Sequence, residues 1–277
     1  MEHNNGFDDA MRESRGRLLA SLVGLVVLTL ATASFVRLPG RTVLVGFLGS
    51  EVSYRFSGAA QYTLLLAGMV CAGLVAVWRA GQKRQAVSLL TAATFWGLPL
   101  HIVLSGLLLL DTLSWWGYQI GLAVLVGAVI ATVITLQMRS AAQPLGPARL
   151  ALNGITYAIA LLAFAAIYAA RWRSLLSATT VLMASTLLSA ELFRDTDTPT
   201  WQVWLWSGLV GLLLSEMTWA LNYTQLNTRA GAVLLLTGFY VLSGIIQQHL
   251  WQRLSRRAVI EFGAALAGGI LVALVLS

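Results

Sequence analysis

The sequence predicts an all-α, polytopic transmembrane helical bundle. Nine apolar stretches together cover most of the 277 residues. The composition agrees, because 58% of the residues are hydrophobic and only 10% are charged, whereas soluble domains are about 45–50% apolar and 25% charged. About 20 apolar residues cross the roughly 30 Å hydrocarbon core of a bilayer. We therefore expect about nine crossing helices, with eight as the alternative.

The first apolar run, Leu18–Val36, follows a short polar segment that contains three arginines. We expect residues 1–17 to form a cytoplasmic N-terminal segment and residues 18–277 to form one transmembrane domain. Ala31–Ala33 resembles a signal-peptide cleavage site. The leader is long and acidic for a signal peptide, however, and this favours a retained helix.

Eight further runs follow the first one. Only Ala170–Ser174 separates the fifth and sixth runs, so a tight helical hairpin is needed there. Pro99 lacks a backbone N–H, which predicts a kink in the third helix just before His101. The runs are approximately Tyr62–Trp78, Val87–Leu110, Trp116–Leu136, Leu150–Ala169, Leu175–Phe193, Trp201–Tyr223, Ala230–Gln247 and Val259–Leu276.

The basic residues predict the orientation. Nine alternating crossings with a cytoplasmic N-terminus place 12 of the 18 Lys and Arg residues in inner segments and 6 in outer segments. Inner loops of membrane proteins carry the excess of positive charge. We therefore expect the C-terminus outside. Arg171 and Arg173 run against this assignment, because they lie in an outer hairpin.

Residues 41–56 differ from the rest of the chain, because apolar and polar residues alternate there with a period of two. Val52, Tyr54 and Phe56 alternate with polar residues, and Gly49-Ser50 provides turn chemistry. This pattern predicts a short outer β-hairpin. A plain loop with a short amphipathic helix is the alternative.

Two ionisable residues lie deep in apolar runs. His101 and Glu216 come 14 and 15 residues after the inner ends of the third and seventh runs, roughly 21–23 Å from the inner surface. Charged groups at such depth are costly and usually face the bundle interior. One hypothesis is a buried pair between His101 and Glu216, and the alternative is that other groups satisfy each separately. Glu191 and Glu261 lie near inner helix ends, where we expect them to reach water.

The segment around Glu216 supplies the remaining candidates for an intramembrane polar site. Glu216, Trp219 and Tyr223 share one helical face, and Asn222 lies beside them. These aromatic neighbours of a carboxylate are typical either of a ligand cavity or proton route, or of an interhelical polar clamp with anchoring aromatics. The complete candidate set is His101, Glu216, Trp219, Asn222 and Tyr223.

Motifs for hydrolytic, nucleotide-binding or metal-dependent chemistry are absent from the sequence. It contains no H-E-x-x-H, Walker loop, G-x-G-x-x-G or G-x-S-x-G. We therefore expect no catalytic residues, no metal site and no cofactor. The net charge of +7 comes mainly from residues beside the apolar runs, so nucleic acid is not an expected partner. The expected partners are the lipid bilayer and other membrane-protein subunits.

Several short strings resemble an uncharacterised family of bacterial multi-span membrane proteins, a domain of unknown function. They are Leu38-Pro39-Gly40-Arg41, Leu48-Gly49-Ser50, Arg173–Ala178 and Glu216–Tyr223. The resemblance implies a bacterial inner-membrane location. It implies no activity and no site residues.

The sequence leaves three function classes open. The first is a non-enzymatic accessory or scaffold component of a membrane complex, which the missing catalytic motifs favour. The second is a proton-linked transporter or carrier of a small or lipidic solute, with Glu216 and His101 in a central site. The third is a membrane enzyme that acts on lipid, for which no constellation of residues is visible.

Overall fold

A computed structural model describes residues 5–47, 50–79, 88–110, 113–142, 146–169, 174–194, 198–224 and 226–277. Within these ranges the chain forms ten helices and two strands, and eight of the helices are long and apolar enough to cross a membrane. The elements are α1 (Asn5–Phe35), β1 (Arg41–Phe47), β2 (Ser50–Phe56), α2 (Gly58–Arg79), α3 (Leu89–Ala93), α4 (Gly97–Leu110), α5 (Trp116–Ala142), α6 (Pro147–Ala169), α7 (Ser174–Phe193), α8 (Thr200–Asn222), α9 (Thr228–Leu250) and α10 (Arg256–Leu276).

The long helices follow the predicted apolar runs, and each buries one stripe. In α2 the buried residues include Tyr62, Leu66, Val70 and Leu74, a spacing of four that keeps them on one helical face. Each apolar run outside the third lies largely within one long helix, including the fifth and sixth runs, which form the separate helices α6 and α7. The chain is therefore a multi-span helical membrane protein.

The third run does not form the single long helix expected, so the described residues contain eight helices of crossing length and the shorter apolar helix α4. The short helix α3 ends at Ala93, residues 94–96 turn, and the 14-residue helix α4 begins at Gly97. The predicted kink is thus a complete break, three residues before Pro99. Pro99 lies in the first turn of α4, where its missing N–H removes no helical hydrogen bond. A Cβ at Gly97 would clash with the Leu187 carbonyl oxygen of α7, so glycine permits this close approach.

Helix α4 runs antiparallel to α5. The Gln137 side chain donates to the Phe95 carbonyl just before α4 begins. The Gln119 side chain donates to the Leu113 carbonyl just after α4 ends. Between these positions, a Cβ at Gly106 would lie 2.7 Å from Val126 Cγ2. Both ends of the segment from the turn at Phe95 to Leu113 therefore contact α5.

The chain divides into two compact units. One contains Met1–Ala92 and Ile102–Ile134, and in it α1 packs on α2. The other contains Ala93–His101 and Thr135–Ser277, in which α7 packs on α8, α9 on α10, and α6 on both α7 and α9. Phe164, Phe193 and Phe239 are fully buried in the second unit.

The strands β1 and β2 pair antiparallel, with Val43 opposite Tyr54 and Val45 opposite Val52. Both strands fall within residues 41–56, the range in which apolar and polar residues alternate.

Candidate functional site

Glu216 lies on the exposed face of α8 and not in the interior of the bundle. Trp219 and Tyr223 share that face, with 46% and 78% of their surfaces exposed, and the Trp219 indole N–H donates to the Tyr223 hydroxyl at 3.2 Å. Asn222 is half-buried. The predicted sharing of one face is therefore correct for Glu216, Trp219 and Tyr223, but this face points outward.

His101 is buried, as its depth in the sequence predicted, with 7% of its surface exposed. Its ring Nδ1 donates to the Gly97 carbonyl of the preceding turn at 2.7 Å. Within the described residues, His101 and Glu216 share no hydrogen bond or ion pair. His101 thus follows the alternative reading, in which a backbone carbonyl of its own helix satisfies the imidazole.

Among the residues whose burial the structure describes, Glu191 is the buried carboxylate, although the sequence analysis expected it to reach water. Glu191 is almost completely buried, because α7 is covered there by its neighbours. Glu261 is exposed. Burial in a folded bundle depends on which face the neighbouring helices cover, and the distance from the end of a helix does not specify that face.

Glu191 is the centre of a polar cluster, which we call the Glu191 cluster. Its Oε2 atom accepts hydrogen bonds from Gln137 Nε2 at 2.7 Å and from Arg194 Nη1 at 2.9 Å. Arg149 Nη1 lies 3.8 Å from Oε1. Arg194 also donates to Ser140 Oγ at 3.3 Å. The carboxylate thus faces two guanidinium groups, and all three side chains are largely shielded from water.

The same cluster also donates hydrogen bonds to carbonyl groups at the C-terminal end of α7. Arg149 Nη2 donates to the carbonyls of Glu191 and Leu192 at 3.0 and 2.7 Å, and Gln247 donates to Leu192 at 3.3 Å. The last carbonyls of a helix have no partner within the helix and carry partial negative charge. Arg149 and Gln247 supply donors to these carbonyls from α6 and α9.

The geometry of the Glu191 cluster suits a structural clamp. Two guanidinium groups lie beside one carboxylate, so opposite charges are paired inside the bundle. No group of three His, Cys, Asp or Glu residues within the described ranges could hold a metal ion. The cluster instead joins α5, α6, α7, α9 and the turn before α4.

The sequence contained one usable signal for this cluster. Glu191 and Arg194 are three residues apart at a helix end, a spacing that brings two side chains together on one face. Gln137 and Arg149 belong to other helices, so their proximity to Glu191 could not be inferred from one sequence.

Two cavities can be described. The larger, about 620 Å³, lies where α8 begins and α9 ends, and Trp206 and His249 line it. The smaller, about 240 Å³, lies near the end of α1 and the start of α2, with Tyr62 and Gln119 in its wall. Neither cavity is lined by Glu216 or His101.

These features define a multi-span helical membrane protein with a buried ionic cluster and without a recognisable catalytic or metal centre in its described part. A protein family described as "Protein of unknown function (DUF5656)" matches residues 38–276. The chain belongs to this family, which confirms the resemblance to an uncharacterised domain. No curated protein and no solved structure matches the chain.

Proposed function

We propose that this protein is a non-enzymatic subunit of a membrane complex, and that it binds another membrane-embedded polypeptide through the exposed face of α8. The observation that carries the proposal is the position of Glu216. This carboxylate lies on the outward surface of a crossing helix. It makes no hydrogen bond or ion pair with any other residue in the described part of the chain.

The position along α8 supports a location of Glu216 within the hydrocarbon layer. It follows Thr200 by 16 residues and precedes Asn222, the last residue of α8, by 6. At 1.5 Å per residue these separations are roughly 24 Å and 9 Å. Trp219 and Tyr223 lie nearer the helix end, where aromatic residues favour the headgroup layer. Glu216 is therefore one turn below this aromatic belt.

A lone carboxylate in that position is unfavourable towards lipid. A charged residue near the bilayer centre costs about 2.5–3.5 kcal/mol on insertion scales, and less near the surface. Side chains of a helix lean towards its N-terminus, so the side chain of Glu216 leans away from the near surface. A hydrogen-bond donor or cation from another polypeptide would remove this cost.

The surroundings of Glu216 fit a helix–helix contact. Leu209, Leu212 and Leu213 on the same side of α8 are also exposed. A Cβ at Gly208 would contact nothing within 4 Å, which leaves room for a neighbouring helix. Small residues allow helix backbones to approach closely, and polar side chains add hydrogen bonds across the contact. The face contains both kinds of residue.

Site-specific photo-crosslinking tests the proposal. A photoreactive residue at position 212 should give an adduct of discrete mass with a polypeptide in native membranes, and Glu216→Leu should abolish it. Met183 on α7 is 65% exposed and gives a matched lipid-facing control position. Adducts with lipid alone at position 212, or an adduct that is unchanged in Glu216→Leu, would refute the partner face.

Transport has no comparable support, because neither described cavity includes Glu216 or His101.

We further propose nine crossings in a bacterial inner membrane, with the N-terminus inside and the C-terminus outside. The contacts of α4 along α5 support the ninth crossing, and the excess of basic residues in the inner segments supports the orientation. The paired strands β1 and β2 would then lie outside. Accessibility of tags at the two termini to a membrane-impermeant reagent checks this: both tags on one side would contradict it.

A further inference from the structure

The larger cavity lies at one end of the second unit, and we call it the interfacial pocket. It is formed by the first two turns of α8, the last turn of α9 and the link to α10. Its volume of about 620 Å³ falls within the roughly 300–1,000 Å³ of small-molecule sites. Its walls include Trp201, Gln202, Leu205, Trp206, His249 and Leu254.

The chain reversal after α9 shapes one side of the pocket. Gln252 has a φ of 52°, a left-handed conformation that ends the helix. The backbone N–H groups of Gln252 and Arg253 donate to the carbonyls of His249 and Gln248, each at 2.9 Å. Leu254 follows directly and lines the pocket. This side of the pocket is therefore formed by a hydrogen-bonded turn.

The described walls of the pocket combine apolar surface with polar groups. Leu205 and Trp201 are each 60% exposed, and the indole of Trp206 contacts the His249 ring edge-on, with the centroids 5.6 Å apart. Gln202 and His249 add polar atoms, and no described carboxylate lines the pocket. Apolar chains and a polar headgroup could both be accommodated there.

Two exposed arginines lie next to pocket-lining residues in the chain. Arg253 lies between Gln252 and Leu254, which both line the pocket, and Arg256 begins α10 two residues beyond Leu254. Both arginines are exposed. Arg257 differs, because its guanidinium already pairs with Glu261 at 3.0 Å. Arg253 and Arg256 are therefore available to an external anion.

We infer that the interfacial pocket binds an anionic phospholipid. Helix ends and exposed tryptophans lie at the membrane surface, and basic pockets beside crossing helices recognise anionic headgroups. The phosphate would contact Arg253, Arg256 and His249, and the acyl chains would pack against Leu205 and Trp201. This site is separate from the proposed partner face around Glu216, so the two proposals stand or fall independently.

Lipid occupancy of the full chain in nanodiscs tests the inference. We would compare retained phosphatidylglycerol with phosphatidylcholine by native mass spectrometry, and expect preferential retention of phosphatidylglycerol. One arginine near an anionic lipid surface contributes about 1 kcal/mol, so Arg253→Gln and Arg256→Gln should each reduce its retention about fivefold. Arg229→Gln, at the start of α9, is the matched control and should have no effect.

A pocket-filling variant separates a specific site from diffuse attraction. Gln202→Trp keeps every charge but occupies the pocket, and it should remove the preference for phosphatidylglycerol. Equal losses in Arg253→Gln and Arg229→Gln, or full retention in Gln202→Trp, would overturn the inference. Equal retention of the two lipids by the unaltered chain would do the same.

Discussion

Replacing Glu191 with leucine tests whether the buried ionic cluster stabilises the bundle. The side chain of Glu191 is only 1% exposed, and those of Arg149 and Arg194 are 6% and 12% exposed. Removal of one partner from a buried ion pair leaves uncompensated charge and costs about 3–5 kcal/mol. We expect Glu191→Leu to lower the free energy of unfolding by this amount.

Glu191→Gln refines the same prediction. The amide oxygen can still accept the bonds from Gln137 and Arg194, but they become bonds to a neutral group. Hydrogen bonds to charged groups contribute about 1.5–3 kcal/mol, and neutral bonds about 0.5–1.5 kcal/mol. Each of the two bonds should therefore weaken by about 1–1.5 kcal/mol, so the glutamine variant should lose about 2–3 kcal/mol, less than the leucine variant.

The assay is denaturant titration of purified protein in mixed micelles, followed by tryptophan fluorescence. The exposed pair Arg257–Glu261 provides a matched control, since its 3.0 Å separation is close to the 2.9 Å of Arg194–Glu191. Exposed pairs contribute about 0–1 kcal/mol, so Glu261→Leu should change little. Equal effects of Glu191→Leu and Glu261→Leu, or a stabilised Glu191→Leu variant, would refute the reasoning.

Two further predictions concern local packing and capping. Gly97→Ala should destabilise the protein by about 1–3 kcal/mol, because the added methyl group meets the Leu187 carbonyl. Gly154→Ala, where nothing lies within 4 Å of the added Cβ, should be neutral or stabilising in the same titration. Equal losses of stability in the two variants would contradict the packing argument. Asn227→Ala should lower the free energy of unfolding by about 1 kcal/mol, because the Asn227 side chain accepts a hydrogen bond from Ala230 N at 2.8 Å and caps α9. An unchanged thermal midpoint of unfolding would show that the cap is dispensable.

Local sequence determined the long helices, because crossing a membrane depends on length and hydropathy. Within a bilayer the backbone must satisfy its own hydrogen bonds, so a sufficiently long apolar run has few alternatives to a helix. Eight long helices correspond to runs that were visible in the sequence. The exception, the third run, breaks where the turn at Phe95 and the glycine at 97 are positioned by Gln137 of α5 and Leu187 of α7.

Only the tertiary structure decided which carboxylate is buried. Glu216 is central in its run but lies on the face of α8 that no described helix covers, whereas Glu191 is near a helix end but enclosed by residues from α5 and α6. Depth along a helix follows from residue number, so it can be read from the sequence. Exposure around a helix depends on which neighbours pack against it, and those neighbours are distant in the chain.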